Sequence, residues 1–370
     1  MTNSTNVVAM APKALDPRQA KARLKDEGYS EEKHQARVRE SYHQFIQAGL
    51  RPVLLHTGVK RPVGEDWLSK PVPHVTEFTG YHNIGIITGD KGNNVCDIDV
   101  DDPEMIDVIA EFLPPTPFKF GRFYGQDEQR LAHWLYRVSD PGKNITVDRP
   151  TGKGAIEIRT NGGQTMAPTS TIVDHKLGYI IDSVRWEGNS TQVPKAALPE
   201  TTREYLNYCV RTAYVTYFAA PFFKSGKFHE DMMYWCGFLV AAGVPDNLIE
   251  ISVRYLARVS GQSGIEDRLA SIATTKARHA EGDNVAGIGY LYNSDRWPKP
   301  LCKWFSQTMK TGAKDLEDPR PLVKIISSRE PQWLDHTLEA MCQSQKFYQM
   351  DGQACVVNKV GAKAQITPLA

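Results

Sequence analysis

The spacing of hydrophobic and polar positions changes twice along the chain and divides it into regions of different secondary structure. Residues 1–16 have the composition of a disordered tail, and the charged stretch from about residue 17 favours a helix that ends near Gly49. From residue 51 to about 195, short β-type runs alternate with Gly, Pro and Asn. Beyond residue 200, apolar positions recur with the helical period. The pattern therefore predicts an α/β part followed by a helical part.

The individual runs predict the elements of each region. The expected strands are 52–56, 84–88, 95–100, 132–138, 155–160 and 171–181. One helix interrupts them, with Asp102 as its N-cap and Pro103 as its first residue. The later helices are expected over 202–218, 229–242, 246–259, 265–279 and 333–341, before a hairpin within 347–368.

These elements predict five regions in the chain. They are a tail and helix over 1–40, an α/β domain over 41–195, a separate helical domain over 200–311, a Pro-rich charged linker over 312–332, and the start of a small further domain over 333–370. The last region stops abruptly, and we therefore expect the chain to be the front part of a longer protein.

Composition restricts the class of protein and its partners. The 44 Lys and Arg residues offset 43 Asp and Glu residues, so any nucleic-acid binding must come from local basic patches. The six cysteines form no CxxC pair, which argues against a zinc module and favours a reducing compartment. The N-terminus lacks the features of a signal peptide, and the most apolar run, 234–244, is too short to span a bilayer. A cytoplasmic protein without a membrane partner is expected.

Three of the predicted strands place polar side chains on one face above an apolar underside. The two-residue period of a strand puts Asp97 and Asp99 on the same face of 95–100. In the same way His133 projects from one face of 132–138, and Glu157 and Arg159 share a face of 155–160. The sequence thus predicts one sheet face that carries Asp, Asp, His, Glu and Arg.

Three carboxylates on one open face point to a metal site. They repel one another unless cations neutralise them, and hard divalent cations prefer carboxylate oxygens. Two such ions can clamp an in-line displacement at phosphorus. Asp97, Asp99 and Glu157 are therefore the predicted catalytic residues and metal ligands, for two Mg²⁺ or Mn²⁺ ions. Removing one of these charges is expected to relieve repulsion within the cluster.

Each of these motifs also has a purely structural interpretation. An acidic pair at a strand end often caps the next helix, but Asp101 and Asp102 are already available for that role here. A single histidine such as His133 is more often an interior side chain, and Glu-x-Arg on a strand is usually a solvated ion pair. The order and the strand phase of all three motifs together favour the catalytic interpretation.

The ordered motifs resemble archaeo-eukaryotic-type primase-polymerases, especially those of phages and plasmids. A DxD strand is followed by a His-bearing strand and then by an acidic strand. Further similar segments are Lys60-Arg61-Pro62 with Trp67, the glycine hairpin 83–89, the stretch 130–137, Ile156-Glu157-Ile158-Arg159 with Gly162-Gly163, and Ala167-Pro168-Thr169-Ser170. The resemblance covers roughly residues 40–185, with a looser similarity to the helical lobe that follows such domains.

The resemblance implies a fold and an activity. The fold would be an α+β catalytic core with a mainly antiparallel sheet of the RNA-recognition type, followed by an all-α domain. The activity would be template-dependent nucleotidyl transfer, in which a 3′-hydroxyl attacks the α-phosphate of an NTP or dNTP on single-stranded DNA. Such domains act in the replication of phage or plasmid DNA in bacterial or archaeal cells and are often fused to a helicase. Glu157 departs from the family, which often has Asp at this position.

Six residues are expected to bind the nucleotide. By the family's pattern His133 would contact the incoming triphosphate. A triphosphate also needs fixed cationic partners, and Arg159, Arg130 and Arg122 supply guanidinium groups of the required kind. Lys60 and Ser170 complete the set of candidates.

Two functions from other classes remain open at this stage. The same carboxylates would serve a metal-dependent nuclease, which would degrade a labelled strand without nucleotides. A catalytically idle single-strand- or origin-binding module would bind DNA in a salt-sensitive way and incorporate nothing. For a polymerase, the sequence favours neither NTP over dNTP nor Mg²⁺ over Mn²⁺, and it specifies neither a template start sequence nor an oligomeric state.

Overall fold

Two compact units make up the chain: 1–225 with 244–269, and 226–243 with 270–370. The computed structural model describes residues 31–56, 60–79, 82–124, 128–150, 152, 156–174, 179–223, 226–263, 265–281, 287–293, 297–309, 348–350, 353–360 and 363–368.

Two sheets lie in the first unit. Their strands are β1 (Pro52–His56), β2 (His82–Ile87), β3 (Val95–Val100), β4 (Lys119–Tyr124), β5 (Glu128–Val138), β6 (Ile145–Val147), β7 (Ile156–Arg159), β8 (Gln164–Met166), β9 (Thr171–Asp174), β10 (Tyr179–Trp186) and β11 (Glu200–Thr201). The smaller sheet has the order β1-β2-β8; the larger has the order β6-β7-β3-β5-β4-β10-β9, with β11 beside β5. Only the β11–β5 pairing is parallel among the described strands, which confirms a mainly antiparallel α/β structure.

The helices, numbered in chain order, are α1 (Glu31–Gln47), α2 (Ile106–Phe112), α3 (Arg203–Ala219), α4 (Phe228–Ala241), α5 (Asp246–Val259), α6 (Glu266–Ala280), α7 (Ile288–Asn293) and α8 (Lys299–Met309). In the second unit α7 contacts both α4 and α8, around a core of Trp235, Trp297 and Phe305. Strands β12 (Tyr348–Met350), β13 (Gln353–Val360) and β14 (Lys363–Pro368) of that unit form an antiparallel sheet.

The larger sheet of the first unit is covered on both faces. On one face, Leu135 and Phe120 join an apolar cluster that includes Phe45 of α1, Leu55 of β1 and Ile86 of β2. On the other face, α3 contacts β6 and β7, and α2, α3 and α5 contact one another. Strand alternation fits this arrangement, because neighbouring residues of a buried strand serve two different cores.

Several predicted boundaries agree with the structure. Strands β1 and β3 and helix α5 have the predicted bounds, and Asp102 caps the turn that leads into α2 by accepting a hydrogen bond from the Glu104 amide. The short strands β4, β6, β8 and β11 were not predicted. The predicted linker over 312–332 and the helix over 333–341 lie outside the described residues.

The structure does not confirm a separate helical domain over 200–311. Helices α3 and α5 belong to the first unit, where α3 packs beside the larger sheet, and Leu198 is buried in the apolar cluster of that unit. These helices cover one face of the sheet, so a boundary near residue 195 would cut through a core. The RNA-recognition-type arrangement remains a prediction. No helix in the described part of the chain has the length and apolar character needed to cross a membrane.

Candidate active site

Strand register brings the predicted carboxylates together at the centre of the larger sheet. On β3, Asp99 lies opposite His133 of β5 on one side and opposite Glu157 of β7 on the other. Asp97, two residues earlier, lies opposite Arg159 of β7. Residues directly opposite each other on neighbouring strands project from the same face. All five side chains therefore share one face, as the strand period predicts.

The two aspartates are buried rather than openly solvated. Asp97 is 0% exposed and Asp99 is 2% exposed, whereas the side chain of Glu157 is 41% exposed. A buried carboxylate is stable in its charged form only where cations or hydrogen-bond donors surround it. The expectation of an open acidic face is therefore corrected, because the guanidinium of Arg159 lies against both aspartates.

His133 contacts both aspartates through its two ring nitrogens. Its Nδ1 lies 3.1 Å from Asp97 Oδ2, and its Nε2 lies 3.5 Å from Asp99 Oδ1. The imidazole stacks on Phe120 of β4, with the ring centroids 4.6 Å apart and the planes at 6°. This stacking fixes the plane of the ring. His133 is thus oriented by an aromatic neighbour that the sequence did not single out, although Phe120 belongs to a visibly aromatic run.

Arg159 contacts all three carboxylates with one guanidinium group. Its Nε donates to Glu157 Oε2 at 2.8 Å, its Nη1 lies 3.8 Å from Asp97 Oδ2, and its Nη2 lies against Asp99 Oδ2. Only 16% of the Arg159 side chain is exposed. The residue predicted as a triphosphate contact is therefore held within the acidic cluster.

The charges of the cluster shift the pKa values of its members. Burial raises the pKa of Asp97, but the charge and hydrogen bond of His133 and the charge of Arg159 outweigh burial and hold that pKa below its usual range. Burial lowers the pKa of Arg159, but the charges of Asp99 and Asp97 and the contact with Glu157 raise it further than burial lowers it. Asp97 and Arg159 are thus stable as ions at neutral pH.

The donor set suits a hard divalent cation only in part. Among the described residues, no three His, Cys, Asp or Glu side chains are grouped in a way that could hold a metal ion as they stand. Glu157 is directed to Arg159, which donates a hydrogen bond to its Oε2. Asp99 nevertheless has a buried oxygen, Oδ2, whose described partner is the cationic guanidinium of Arg159. Two adjacent carboxylates with such an oxygen fit Mg²⁺ or Mn²⁺, with Glu157 as the third candidate ligand.

A cleft beside the cluster collects most of the predicted nucleotide contacts. Asp99 and His133 form part of its wall, and Lys60, Arg122 and Arg130 provide positive charge. The remaining lining residues are Asp101, Gly121, Ala132, Met166 and Val184. Asp101 is a charged wall residue that the sequence did not assign to the site. The structure therefore joins Asp99 of the acidic cluster and a cationic surface in one cavity.

Two arginines face each other across β4 and β5 in this cleft. Arg122 lies directly opposite Arg130. Arg130 donates to the carbonyls of Val100 and Asp101, and no described carboxylate forms an ion pair with either arginine. Like charges directly opposite one another destabilise a sheet, and an anion between them removes that cost. The pair is suited to phosphate.

Gly121 makes the close approach of the two strands possible. A Cβ atom at this position would lie 1.7 Å from the carbonyl oxygen of Arg130, so no other residue fits without moving the backbone. The register of β4 and β5 shifts at this point, between Phe120 and Arg122. The irregularity places Phe120 against His133 and Arg122 against Arg130.

Ser170 is not part of the cleft. Its hydroxyl is fully buried, accepts a hydrogen bond from the amide of Ile84 and donates one to the carbonyl of the same residue. Both bonds tie the turn after β8 to strand β2. The structure therefore gives Ser170 a structural position in place of the predicted nucleotide contact, because its hydroxyl is already used by backbone groups.

One family model matches the part of the chain that contains this site. Residues 43–201 match the family model described as Prim-Pol, bifunctional DNA primase/polymerase, N-terminal. The matched range contains the acidic cluster and the whole cationic cleft. No relative was found among curated proteins.

Proposed function

We propose that this chain makes and extends primers on single-stranded DNA. The premise is that residues 43–201 are a Prim-Pol domain, the N-terminal module of bifunctional DNA primase/polymerases. The family implies a nucleotidyltransferase that acts on DNA. One observation supports the more specific assignment: the cationic cleft opens directly onto Asp99 and His133. A nucleotide triphosphate in that cleft would have its phosphates beside the carboxylates.

Several residues of the cleft are proposed to bind the nucleotide. Arg122 and Arg130 supply guanidinium groups for the triphosphate, and exposed Lys60 adds a mobile charge at the rim. His133, held in plane by Phe120, lines the same wall and is proposed as a further contact for the triphosphate. These contacts orient the nucleotide, and orientation supplies much of the rate in such reactions.

The acidic cluster serves the chemical step. We assign Asp97 and Asp99 as the residues that hold Mg²⁺ or Mn²⁺, with Glu157 as the third candidate. When bound, divalent cations neutralise the charge that develops as a 3′-hydroxyl attacks the α-phosphate and pyrophosphate leaves. Asp97 and Asp99 are buried, and burial away from water strengthens their electrostatic effect. Replication of a phage or plasmid, with a helicase as partner, is the biological setting we propose.

A primer assay tests the proposal against its two rivals. The full chain is given single-stranded template, with or without a labelled primer, and with NTPs or dNTPs in Mg²⁺ or Mn²⁺. We expect template-dependent products from the wild type and none from Asp99→Asn, while Asp107→Asn, an exposed carboxylate on α2, behaves as the wild type. Shortening of the labelled strand without nucleotides would support a nuclease, and salt-sensitive DNA binding without products would support an idle binding module.

A further inference from the structure

Arg159 occupies an unusual position for a residue that is expected to bind a substrate. Its guanidinium contacts Glu157 at 2.8 Å and Asp97 at 3.8 Å, and it lies against Asp99 Oδ2. All three partners are the carboxylates assigned above to metal binding. A single side chain therefore makes the same set of contacts that a bound cation would make.

We infer that Arg159 is an internal counter-cation that competes with divalent metal ions for Asp97, Asp99 and Glu157. The inference rests on the proposed function, because it concerns the metal ligands assigned there. It adds that metal binding requires the guanidinium to turn away, which releases Glu157 for the metal and Arg159 for the triphosphate.

The backbone keeps Arg159 in a position to do this. Arg159 and Glu157 are two residues apart on β7, so their side chains leave the same face of the strand. Arg159 is also directly opposite Asp97 in the register of β7 and β3. The contacts are therefore made by local side-chain rotation. The guanidinium can leave them without any movement of the sheet.

The individual contacts differ in character, and this difference makes an exchange feasible. The contact with Glu157 is a hydrogen bond, and the Glu157 side chain is 41% exposed, so both partners can rotate together. The contact with Asp99 Oδ2 is an ion pair with a carboxylate that is 2% exposed. A divalent ion carries twice the charge and prefers the same oxygen.

The charges of the three carboxylates explain what the competition by Arg159 would achieve. Asp97, Asp99 and Glu157 together carry three negative charges, and Arg159 offsets one of them before a metal arrives. The nucleotide then brings phosphates into the adjacent cleft, where they offer the displaced guanidinium a new anionic partner. Arg159 thereby links the arrival of the metal to the arrival of the nucleotide.

Mn²⁺ affinity tests the inference directly, without reference to catalysis. The full chain is titrated with Mn²⁺ in the absence of DNA and nucleotide, and bound Mn²⁺ is measured by electron paramagnetic resonance. We expect Arg159→Gln to bind Mn²⁺ at least about tenfold more tightly than the wild type, which corresponds to about 1.4 kcal/mol. Arg137→Gln is the matched control, because Arg137 lies on neighbouring β5 and donates to the carbonyl of Asn93. Its Mn²⁺ affinity should stay near that of the wild type.

Thermal melting provides the second measurement. In EDTA, Arg159→Gln should melt below the wild type because the carboxylates lose their counter-charge, and Mn²⁺ should raise its melting temperature more than that of the wild type. If Arg159→Gln does not fold in EDTA, Arg159→Lys replaces it. A lysine keeps the charge but lacks the planar group that contacts three carboxylates, so its Mn²⁺ affinity should lie above that of the wild type.

The outcomes separate this inference from the proposed function. If the wild type binds Mn²⁺, Asp99→Asn does not, and neither Arg159 variant binds it more tightly, the competition is refuted while the metal site stands. If no form of the protein binds Mn²⁺, the assignment of the metal ligands fails and the inference fails with it. Tighter binding by Arg159→Gln that Asp99→Asn abolishes supports both.

Discussion

Removal of the Asp97 carboxylate tests whether the acidic cluster is dominated by repulsion or by ion pairs. From the sequence alone, deleting one of three neighbouring carboxylates is expected to stabilise the fold. The structure predicts the opposite sign. Asp97 is completely buried. Its Oδ2 lies 3.1 Å from the Nδ1 of His133 and 3.8 Å from a guanidinium nitrogen of Arg159. Its loss leaves the mostly buried guanidinium of Arg159 with one carboxylate fewer and removes the partner of the His133 Nδ1.

The structure also sets the size of the effect. Breaking a buried charge pair by removing one partner costs roughly 3–5 kcal/mol. Arg159 keeps its contacts with Asp99 and Glu157, so we expect the lower end of that range, about 3 kcal/mol, for Asp97→Ala. At about 2–4 °C per kcal/mol for a unit of this size, the melting temperature should fall by about 6–12 °C. Asp97→Asn keeps the shape and a hydrogen-bonding oxygen and should fall by about half as much.

The assay is thermal unfolding of the full chain in EDTA at neutral pH, followed by circular dichroism, with primer extension measured on the same preparations. Asp107→Asn serves as the control for the loss of a carboxylate, because Asp107 is exposed on α2. Both Asp97 variants should also lose extension. A melting temperature of Asp97→Ala at or above that of the wild type would show that repulsion dominates, and the ion-pair reasoning would be wrong.

Four further predictions address other parts of the molecule. Arg122→Ala should raise the KM for nucleotide about tenfold or more without lowering the melting temperature, because a charge-assisted phosphate contact and a like-charge pair are lost together. Arg254→Ala, a surface control, should leave the KM unchanged, and an equal KM in both variants would contradict the assignment of Arg122 to the triphosphate. His133→Ala should weaken nucleotide binding while single-stranded DNA binding persists; equal loss of both would indicate a purely structural histidine. A fragment that ends at residue 195 should fail to unfold cooperatively, since it lacks α3 and α5; a sharp thermal transition would refute the described unit. Burial lowers the pKa of His34, so the stability contributed by its neutral form is present above the ordinary value of about 6.5 and is lost as the pH falls below it. Between pH 7.5 and pH 5.5 the melting temperature of the wild type should therefore fall further than that of His34→Gln. An equal fall in both proteins would contradict this reasoning.

Short-range patterns in the sequence were sufficient to predict much of the structure. The two-residue period of β3 placed Asp97 and Asp99 on one face, and the same period placed Glu157 beside Arg159 on β7. The N-cap at Asp102 followed from a local preference as well. These features depend on backbone geometry and on neighbours a few residues away, so the sequence itself contains the information for them.

Contacts between distant segments required the tertiary structure. Strand order places β3 between β7 and β5, which puts Glu157 and His133 on either side of Asp99. No local pattern specifies that order, because register is set by the pairing of whole strands and by the cores on both faces of the sheet. The same holds for the cleft, where Lys60 and Arg122 meet from separate parts of the chain.

The sequence by itself therefore determined which residues are candidates for the chemistry and which strand faces they occupy. Only the tertiary structure decided how those residues are partnered. It buried Asp97 and Asp99, bound Arg159 to all three carboxylates, used the hydroxyl of Ser170 for backbone contacts, and joined α3 and α5 to the unit that contains the larger sheet. The physical reason is that burial and ion pairing depend on which surfaces pack together, and packing is a property of the whole fold.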